Sequence, residues 1–288
     1  MKMRTYRFQV LNVFAESTFG GNPLAVFEDA RGLSDAEQQA VTEQFNLSET
    51  TFIWPSSTAA AARVRIFSPG YEMAFAGHPT LGTAHVVREL LGKGNAFELE
   101  LNIGPISVTA EGDRWELRSA PPTWSEVIEA PALGLRAEQI LPGVRWVSTG
   151  MEQLLVPLRD VEGVRECRPV EPWPRNPLGN VALYVFAKTP TGFVSRFFWD
   201  QHGVLREDPG TGSACANLGG WCLAQQQALP VEAKVEQGHA LNRLNVLSLR
   251  VDAQQQIFVG GRVVPLMRGE VRLPEAHTSD ARRQPERL

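Results

Sequence analysis

The sequence predicts an α+β protein built from two duplicated domains, in each of which a curled mixed β-sheet wraps one central helix. First, two glycine-bearing stretches, residues 76–82 and 207–215, each open a largely apolar helical pattern. Second, each stretch follows a β-prone run, at residues 64–67 and 194–198. Third, short β-prone segments flank both helices, so each half reads as strands, a buried helix and more strands.

The length of 288 residues suits two domains of roughly 150 residues each. We place the first domain at residues 1–124 and its repeat at residues 125–274, because the Ser-Ala-Pro-Pro run at residues 119–122 begins a turn-rich linker. Residues 275–288 are polar and charged, and we expect them to form a disordered tail.

The net charge of −4 and the isoelectric point near 5.8 provide no large basic surface, which argues against nucleic acid as a partner. No uncharged apolar stretch reaches the roughly 20 residues that span a bilayer, and residues 1–6 lack the apolar core of a signal peptide. We therefore expect a soluble, cytoplasmic protein that does not enter a membrane.

The first half begins with two predicted antiparallel strands, at residues 8–14 and 24–27, joined by a cluster of turn residues. Ser34 and Glu37 then have the spacing of a capping box, which predicts the start of a helix. The apolar rhythm of that helix ends near Asn46.

Glu49 lies where this helix gives way to a β-prone run, within residues 46–54. A solvated loop carboxylate is the ordinary interpretation of such a residue. Apolar neighbours on both sides favour partial burial instead, so the sequence alone leaves both interpretations of Glu49 open.

Two helices are predicted to be central because their apolar residues cover more than one face. The first spans residues 79–91, with Pro79 at the first helical position, where its missing N–H costs nothing. The second runs from residue 212 to about residue 227. It contains Gly219 and Gly220, each of which costs up to about 1 kcal/mol relative to alanine, and close packing against strands is the expected compensation.

Short strands account for most of the remaining chain. They are predicted at residues 97–103, 106–109, 115–117, 145–148, 154–158, 180–187, 234–237, 244–251, 257–259, 263–267 and 270–273. The second half thus repeats the strand-turn-strand opening of the first.

Three cysteines do not make a disulfide framework. Cys215 and Cys222 are seven residues apart on one predicted helix, which separates their Cα atoms by about 10 Å, beyond disulfide reach. We interpret them as small buried side chains. A nucleophilic Cys215 is the alternative, but no basic partner can be placed beside it.

If a pseudo-twofold axis relates the halves, the N-termini of the two central helices can face each other. Unpaired N–H groups and two positive helix ends would then share one small volume, which suits a carboxylate or an enolate-like charge. A dinucleotide site is a weaker interpretation of Gly210-x-Gly212. Its third fingerprint position is Cys215, and no regular strand-helix alternation surrounds it.

Three polar residues border these helix starts. His78 lies at or beside a helix N-cap, where the positive helix end favours its neutral form, although a purely structural histidine remains an alternative. Asp208 precedes the second helix, where a carboxylate is favourable with or without a function, and Ser213 could be an ordinary first-turn residue. His78, Asp208, His202 and His239 show neither a metal-ligand spacing nor a catalytic triad.

Four motifs together resemble the phenazine-biosynthesis PhzF-like family in order and approximate spacing. They are Gly21-Asn22-Pro23-Leu24-Ala25-Val26, Asn46-Leu47-Ser48-Glu49-Thr50, Ala76-Gly77-His78-Pro79-Thr80-Leu81-Gly82 and Glu207-Asp208-Pro209-Gly210-Thr211-Gly212-Ser213-Ala214. The resemblance covers residues 5–273. It implies the diaminopimelate epimerase-like fold, in which each domain is a barrel-like sheet around a central helix and the active site lies between the domains.

The resemblance also implies roles for individual residues. The epimerase has a catalytic cysteine at the opening of each helix, and Ala76 and Pro209 hold those positions here, so a two-thiol mechanism is not available. Glu49 is instead implied as the acid/base, with His78 and Asp208 as further catalytic residues. The substrate-binding residues implied are Gly77, Gly210, Thr211, Gly212 and Ser213, and Gly210 takes a place often held by alanine.

The activity that the resemblance implies is that of a cofactor-independent isomerase, without a metal, that moves a proton within a small cyclic or unsaturated carboxylate. The type reaction is the isomerisation of trans-2,3-dihydro-3-hydroxyanthranilate. Two alternatives stay open: an amino-acid epimerase that works with one base, and a non-catalytic member that binds small molecules or proteins. The resemblance further suggests a homodimer.

Overall fold

The structure, a computed structural model, describes residues 2–201 and 203–275. The predicted tail beyond residue 275 and His202 lie outside the described residues. The strands are β1 Met3–Val13, β2 Asn22–Phe27, β3 Glu49–Trp54, β4 Ala62–Phe67, β5 Glu72–Met73, β6 Ala96–Leu101, β7 Gly104–Glu111, β8 Arg114–Arg118, β9 Thr123–Trp124, β10 Arg145–Ser148, β11 Glu152–Leu158, β12 Ala182–Thr189, β13 Gly192–Gln201, β14 Val204–Asp208, β15 Val231–Gln237, β16 Asn245–Val251 and β17 Ile257–Pro274. The α-helices are α1 Asp35–Phe45, α2 Gly77–Leu91, α3 Val161–Glu166 and α4 Gly212–Ala224.

The predicted local signals at the start of the chain are confirmed. β1 and β2 pair antiparallel, and the turn between them ends at Gly21, whose φ of 75° favours glycine. The side chain of Ser34 accepts a hydrogen bond from the Glu37 N–H, and the Glu37 carboxylate accepts one from the Ser34 N–H at 2.9 Å. Helix α1 ends at Phe45, and its C-cap residue Asn46 adopts the left-handed conformation, as the capping rules favour.

The mixed β-sheet wraps two central helices, as predicted. Helix α2 packs against β1, β2, β3, β4, β8 and β17, whereas α4 packs against β9, β10, β11, β16 and β17. Strand β17 joins the halves, because its first part pairs with β16 and β8 and the remainder runs antiparallel to β1. The domain boundary near residue 124 stays a prediction.

Both central helices differ slightly from expectation. Helix α2 begins at Gly77, with Ala76 as its N-cap, so Pro79 is its third residue rather than its first. The absence of an N–H in Pro79 still costs nothing there, because the first four N–H groups of a helix have no intrahelical partner. Helix α4 begins at Gly212 as predicted and ends at Ala224, three residues before the expected end.

Close packing of the glycines in α4 is confirmed. A Cβ atom on Gly219 would lie 2.8 Å from Cγ2 of Ile257, and one on Gly220 would lie 2.8 Å from Cβ of Pro122. Val147 of β10 is also close, with Cγ1 2.9 Å from the Cβ position of Gly220. Such contacts leave no room for a methyl group, so these glycines let β17 and β10 approach the helix axis.

The apolar side chains of both central helices share one hydrophobic core. Cys167, Cys215 and Cys222 are all buried and unbridged, and burial raises the pKa of each thiol, so their interpretation as small buried side chains is confirmed. Among the described residues, no helix is both long and apolar enough to cross a bilayer.

Candidate active site

The N-terminal ends of α2 and α4 meet at a pair of glycines. A Cβ atom on Gly77 would lie 3.7 Å from the Cα atom of Gly212, and one on Gly212 would lie 3.7 Å from the Cα atom of Gly77. The ring of Phe14 closes one side, with its Cζ atom 3.4 Å from the Cβ position of Gly212. The two helix ends therefore lie side by side, and a methyl group at Gly77 or Gly212 would make only ordinary van der Waals contacts.

Neither helix start is covered by its own N-cap side chain. Ala76 has no side-chain hydrogen-bonding group, and the hydroxyl of Thr211 does not cap α4. The first N–H groups of both helices, those of Gly77 and His78 and those of Gly212 and Ser213, thus have no N-cap side chain as an acceptor. Two positive helix ends in contact favour an anion in this volume.

Glu49 and His78 approach each other at this junction. Glu49 is the first residue of β3, where parallel pairing with Leu24 of β2 positions it, so it lies in a strand rather than in a loop. His78 is the second residue of α2. The Glu49 Oε2 and His78 Nε2 atoms lie 3.2 Å apart, and both atoms are buried without a hydrogen bond of acceptable geometry among the described residues.

Burial decides the charge of this pair. Burial, with a smaller contribution from the negative charge of Asp208, raises the pKa of Glu49 to about 8. Burial lowers the pKa of His78 to about 3, against the opposing effect of a hydrogen bond with the backbone of Pro23. A proline backbone offers only a carbonyl, so the ring donates there. This hydrogen bond favours the protonated imidazole, but burial outweighs it and holds the imidazole neutral. At neutral pH the pair is a carboxylic acid beside a neutral imidazole, not an ion pair.

Asp208, the last residue of β14, receives several hydrogen bonds. Its Oδ2 atom accepts from the Thr211 hydroxyl at 2.5 Å, its Oδ1 atom accepts from Nδ2 of Asn22 at 3.3 Å, and the N–H of Gly210 also donates to the carboxylate. Burial raises the pKa of Asp208, and these donors oppose that rise. The charge of Asp208 in turn raises the pKa of Glu49, so the ionisation of Glu49 depends on that of Asp208.

Gln237 holds the turn between Asp208 and α4. Its Nε2 atom donates to the carbonyl of Asp208 at 2.7 Å and to the hydroxyl of Thr211 at 2.9 Å, and its Oε1 atom accepts from the Thr211 N–H at 3.3 Å. The Thr211 hydroxyl accepts from Gln237, so its single proton goes to Asp208. These hydrogen bonds from Gln237 therefore fix the Thr211 hydroxyl as a donor to the Asp208 carboxylate.

The family of proteins described as phenazine biosynthesis-like, PhzC-PhzF, matches residues 11–269. The chain belongs to this family. An uncharacterized isomerase of Pasteurella multocida is 37% identical over 276 residues, covering 93% of this chain and 95% of that protein. Trans-2,3-dihydro-3-hydroxyanthranilate isomerase of Pseudomonas chlororaphis is 29% identical over 281 residues, covering 92% of this chain and 99% of that protein.

Solved structures agree with the family fold. A predicted epimerase from Pseudomonas aeruginosa superposes with a TM-score of 0.76 at 31% identity, covering 92% of this chain and 99% of that one. A PhzF-family protein of Bacillus anthracis superposes with a TM-score of 0.80 at 23% identity, covering 93% and 99% of the two chains, which supports the fold alone. The diaminopimelate epimerase-like fold expected from the sequence is thereby supported.

In this PhzF-family chain, the structure brings the predicted catalytic residues together around the helix ends. Gly77, Gly212 and Ser213 belong to the first turns of α2 and α4. Gly210 is engaged internally: its carbonyl accepts from Nδ2 of Asn22 at 3.0 Å, and its N–H donates to Asp208. The roles assigned to these residues stay predictions.

The buried side chain of Asn245 excludes alanine from position 210. A Cβ atom on Gly210 would lie 2.2 Å from Oδ1 of Asn245, a fully buried side chain. Asn245 in turn donates to the carbonyl of Arg243 at 2.9 Å and so cannot easily move away. Glycine and Asn245 therefore belong together in this chain.

Sequence reasoning missed the buried amides that support the site. Asn22 stood in a quoted motif without a role. Gln237 lies on the same inward-facing side of β15 as Val235, and Gln153 on the same inward-facing side of β11 as Leu155. An amide side chain at an inward-facing strand position is the signal that could have found the latter two, because buried polar groups need partners.

No group of three metal-binding side chains occurs within residues 2–201 and 203–275. One surface cavity bordered by Arg63 and Glu100, and another along residues 127–144 with Val170, include none of the predicted site residues.

Proposed function

We propose that this PhzF-family protein is an isomerase that moves a proton within a small cyclic or unsaturated carboxylate, with Glu49 as the proton carrier. The observation that carries the proposal is the position of a buried carboxyl group, Glu49, whose pKa is about 8, beside two helix N-termini in contact. A proton donor and acceptor that titrates near neutral pH thus adjoins a site suited to an anion.

Glu49 performs both proton transfers in this scheme. As a carboxylate it removes a proton from a carbon next to an unsaturated system, and the electron pair of the broken C–H bond moves into that system. As a carboxylic acid it then returns the proton to another carbon on the same face. A pKa near the working pH serves both steps, because neither protonation state is far from accessible.

The N-terminal ends of α2 and α4 provide hydrogen-bond donors that stabilise negative charge. The N–H groups of Gly77, Gly212 and Ser213 bind the substrate carboxylate and the negative charge that develops when the proton leaves. Each donor of this kind lowers the barrier by roughly 3 kcal/mol in enzymes where one has been removed. These donors are fixed by the helix backbone, so they need no reorganisation during the reaction.

His78 and Asp208 orient the substrate. A neutral imidazole with a low pKa can exchange hydrogen bonds with a substrate group without carrying charge through the reaction. Asp208 is surrounded by protein donors that favour its carboxylate form, so it is suited to accept a hydrogen bond from a substrate amino or hydroxyl group.

The proposed substrate class follows the relatives. Proteins of Pseudomonas chlororaphis and Pseudomonas aeruginosa, 29% and 30% identical to this chain, are named trans-2,3-dihydro-3-hydroxyanthranilate isomerase. That compound is a cyclic unsaturated carboxylate with an amino and a hydroxyl group, which matches an anion site beside two groups that orient polar substituents. We propose this class, and the named compound as the first candidate.

The test is deuterium exchange. Purified protein is incubated with trans-2,3-dihydro-3-hydroxyanthranilate in deuterated water, and incorporation of deuterium at carbon is followed by mass spectrometry. We expect exchange with the parent protein and its loss in Glu49→Gln, whereas Glu43→Gln, a change of an exposed glutamate on α1, keeps the parent rate. Exchange at the parent rate in Glu49→Gln contradicts the proposal, and inversion of a stereocentre without double-bond movement indicates an epimerase.

A further inference from the structure

We infer that Gln153, Asn217 and Thr149 are positioning residues that fix the Ser213 hydroxyl as a hydrogen-bond donor to the ligand. The inference rests on the proposed function for the identity of that ligand, a carboxylate. It rests on the structure for the direction of each hydrogen bond.

The direction is set by a backbone carbonyl. The carbonyl of Met151 can only accept, and the nearest atom of the Asn217 side chain is Nδ2, at 2.8 Å. The amide of Asn217 is therefore oriented with its nitrogen toward Met151. Its Oδ1 atom, on the other side, accepts from the hydroxyl of Thr149 at 2.8 Å.

The orientation of the Asn217 amide also fixes that of the Gln153 amide. Nδ2 of Asn217 also lies 2.8 Å from Oε1 of Gln153, and a nitrogen donor requires an oxygen opposite it. The other end of the Gln153 amide, Nε2, must then face the hydroxyl oxygen of Ser213, at 2.9 Å. Gln153 and Asn217 are fully buried, so solvent does not offer either amide an alternative partner.

Ser213 is the end of this chain of hydrogen bonds. Its oxygen accepts from Gln153, and its one proton has no acceptor in the part of the protein that the structure describes. The hydroxyl is the side chain of the second residue of α4, beside the N–H groups of the first turn. Every polar group that this helix end presents to a ligand is thus a donor, which selects a carboxylate oxygen and rejects an ammonium group.

Two substitutions of Gln153 separate hydrogen-bond direction from space filling. In Gln153→Glu, assayed at a pH at which the new carboxyl group is ionised, one oxygen accepts from Nδ2 of Asn217 and the other accepts the Ser213 proton, so the hydroxyl presents lone pairs to the ligand. Gln153→Leu removes the donor but leaves the Ser213 proton free. We expect the KM for trans-2,3-dihydro-3-hydroxyanthranilate to rise by about 10- to 100-fold in Gln153→Glu and by less than about 10-fold in Gln153→Leu, with kcat little changed in both.

Asn217→Asp should also change the hydrogen bond of the Ser213 hydroxyl, although the side chain of Asn217 bonds to Gln153 and not to Ser213 itself. In Asn217→Asp the oxygen that replaces Nδ2 repels Oε1 of Gln153, so the Gln153 amide reverses and takes the Ser213 proton. We expect KM to rise as in Gln153→Glu. Asn176→Asp is the matched control, because Oδ1 of Asn176 only accepts, from the N–H groups of Leu178 and Asn180. Equal KM values for Gln153→Glu and Gln153→Leu, or a fall in kcat at constant KM, overturn the inference.

A measurement without ligand separates this inference from the proposed function. The side-chain amide signals of Gln153 and Asn217 are assigned by NMR in the parent protein and in Ser213→Ala. We expect the Gln153 signal to move and the Asn217 signal to stay, because only Gln153 donates to Ser213. An unmoved Gln153 signal overturns the inference, whereas a parent protein that neither binds nor exchanges the compound contradicts only the proposed function.

Discussion

Asp208 lies close enough to Glu49 for its negative charge to raise the pKa of Glu49, although the two residues come from opposite halves of the chain. Glu49 begins β3 beside the first central helix, and Asp208 ends β14 beside the second. The contact between the ends of α2 and α4 brings these two carboxyl groups to one place. The protonation of the proposed proton carrier therefore depends on a residue of the other half.

The stability of the protein should fall between pH 6.5 and 8. The pKa of Glu49 rises from 4.5 to about 8 on folding, so the folded state binds more protons in that window and stability is lost as pH rises through it. The pKa of His78 falls from 6.5 to about 3, which acts in the opposite sense but only below pH 6.5. From pH 6.5 to 8 the Glu49 effect is no longer opposed by His78, and it amounts to at most about 2 kcal/mol.

Urea unfolding of the parent protein and of Glu49→Gln at pH 6.5 and pH 8 measures this effect. We expect the unfolding free energy of the parent to decrease between the two pH values and that of Glu49→Gln to change much less. An equal decrease in both proteins means that Glu49 is not the titrating group.

Substitution of Asp208 should shift the pH dependence of catalysis. In Asp208→Asn the negative charge that raises the pKa of Glu49 is removed, so Glu49 ionises at lower pH. The acidic limb of the kcat/KM profile should move to lower pH, even if the overall rate falls because Asp208 also orients the substrate. A slower enzyme with an unshifted acidic limb contradicts the coupling between the two carboxyl groups.

Local signals in the sequence predicted the elements whose partners are near in the chain. The capping box of Ser34 and Glu37 is such a signal, and so is the stop at Asn46. Helix α3 was missed because its support is distant: Nη1 of Arg196 donates to the carbonyls of Val164 and Cys167, at 3.3 and 2.8 Å. Six residues without this contact are too few for a stable helix.

The sequence motifs predicted which residues belong to the candidate site, but not their protonation states. The resemblance named Glu49, His78 and Asp208, but their protonation depends on burial and on contacts across the two halves, which no local pattern encodes. Likewise, three separate strands were predicted within β17, at residues 257–259, 263–267 and 270–273. The structure has one strand, because residues 257–262 pair with β16 and β8 and residues 263–274 pair with β1, interrupted only by one bulge.

The buried ion pair between Arg196 and Glu207 should contribute strongly to stability. Two hydrogen bonds of 3.0 and 2.7 Å join the groups, and their side chains are only 9% and 10% exposed. Removal of the carboxylate in Glu207→Leu leaves a buried guanidinium without its counter-ion, which costs about 3 kcal/mol or more. The pair Arg165 and Glu162 is mostly exposed, so Glu162→Leu should change the unfolding free energy by less than about 1 kcal/mol.

Urea denaturation of both variants at one pH compares the two ion pairs. The double variant Arg196→Met with Glu207→Leu should be less destabilised than the sum of the single variants, because it leaves no unpaired charge. Equal losses for Glu207→Leu and Glu162→Leu contradict the importance of burial.

Two glycines of α2 should respond oppositely to alanine. A Cβ atom on Gly82 would lie 2.6 Å from Cδ2 of Leu24 and 2.9 Å from Cγ2 of Val13, so Gly82→Ala should destabilise the protein by about 1 to 3 kcal/mol. A Cβ atom on Gly77 would have no contact closer than 3.7 Å, and alanine favours the helix, so Gly77→Ala should be neutral or stabilising by up to about 1 kcal/mol.

In contrast to their effects on stability, Gly77→Ala should reduce activity more than Gly82→Ala. The methyl group of Gly77→Ala lies between the two helix ends, where the proposed mechanism places the substrate carboxylate, so deuterium exchange should fall at least 10-fold in a well-folded protein. Gly82→Ala alters packing behind the helix, and the fraction that remains folded should keep most of its activity. Thermal unfolding and exchange measured on the same samples test both halves of this expectation. A Gly77→Ala protein with full activity would place the substrate away from the junction of Gly77 and Gly212, because a methyl group there cannot coexist with a bound carboxylate.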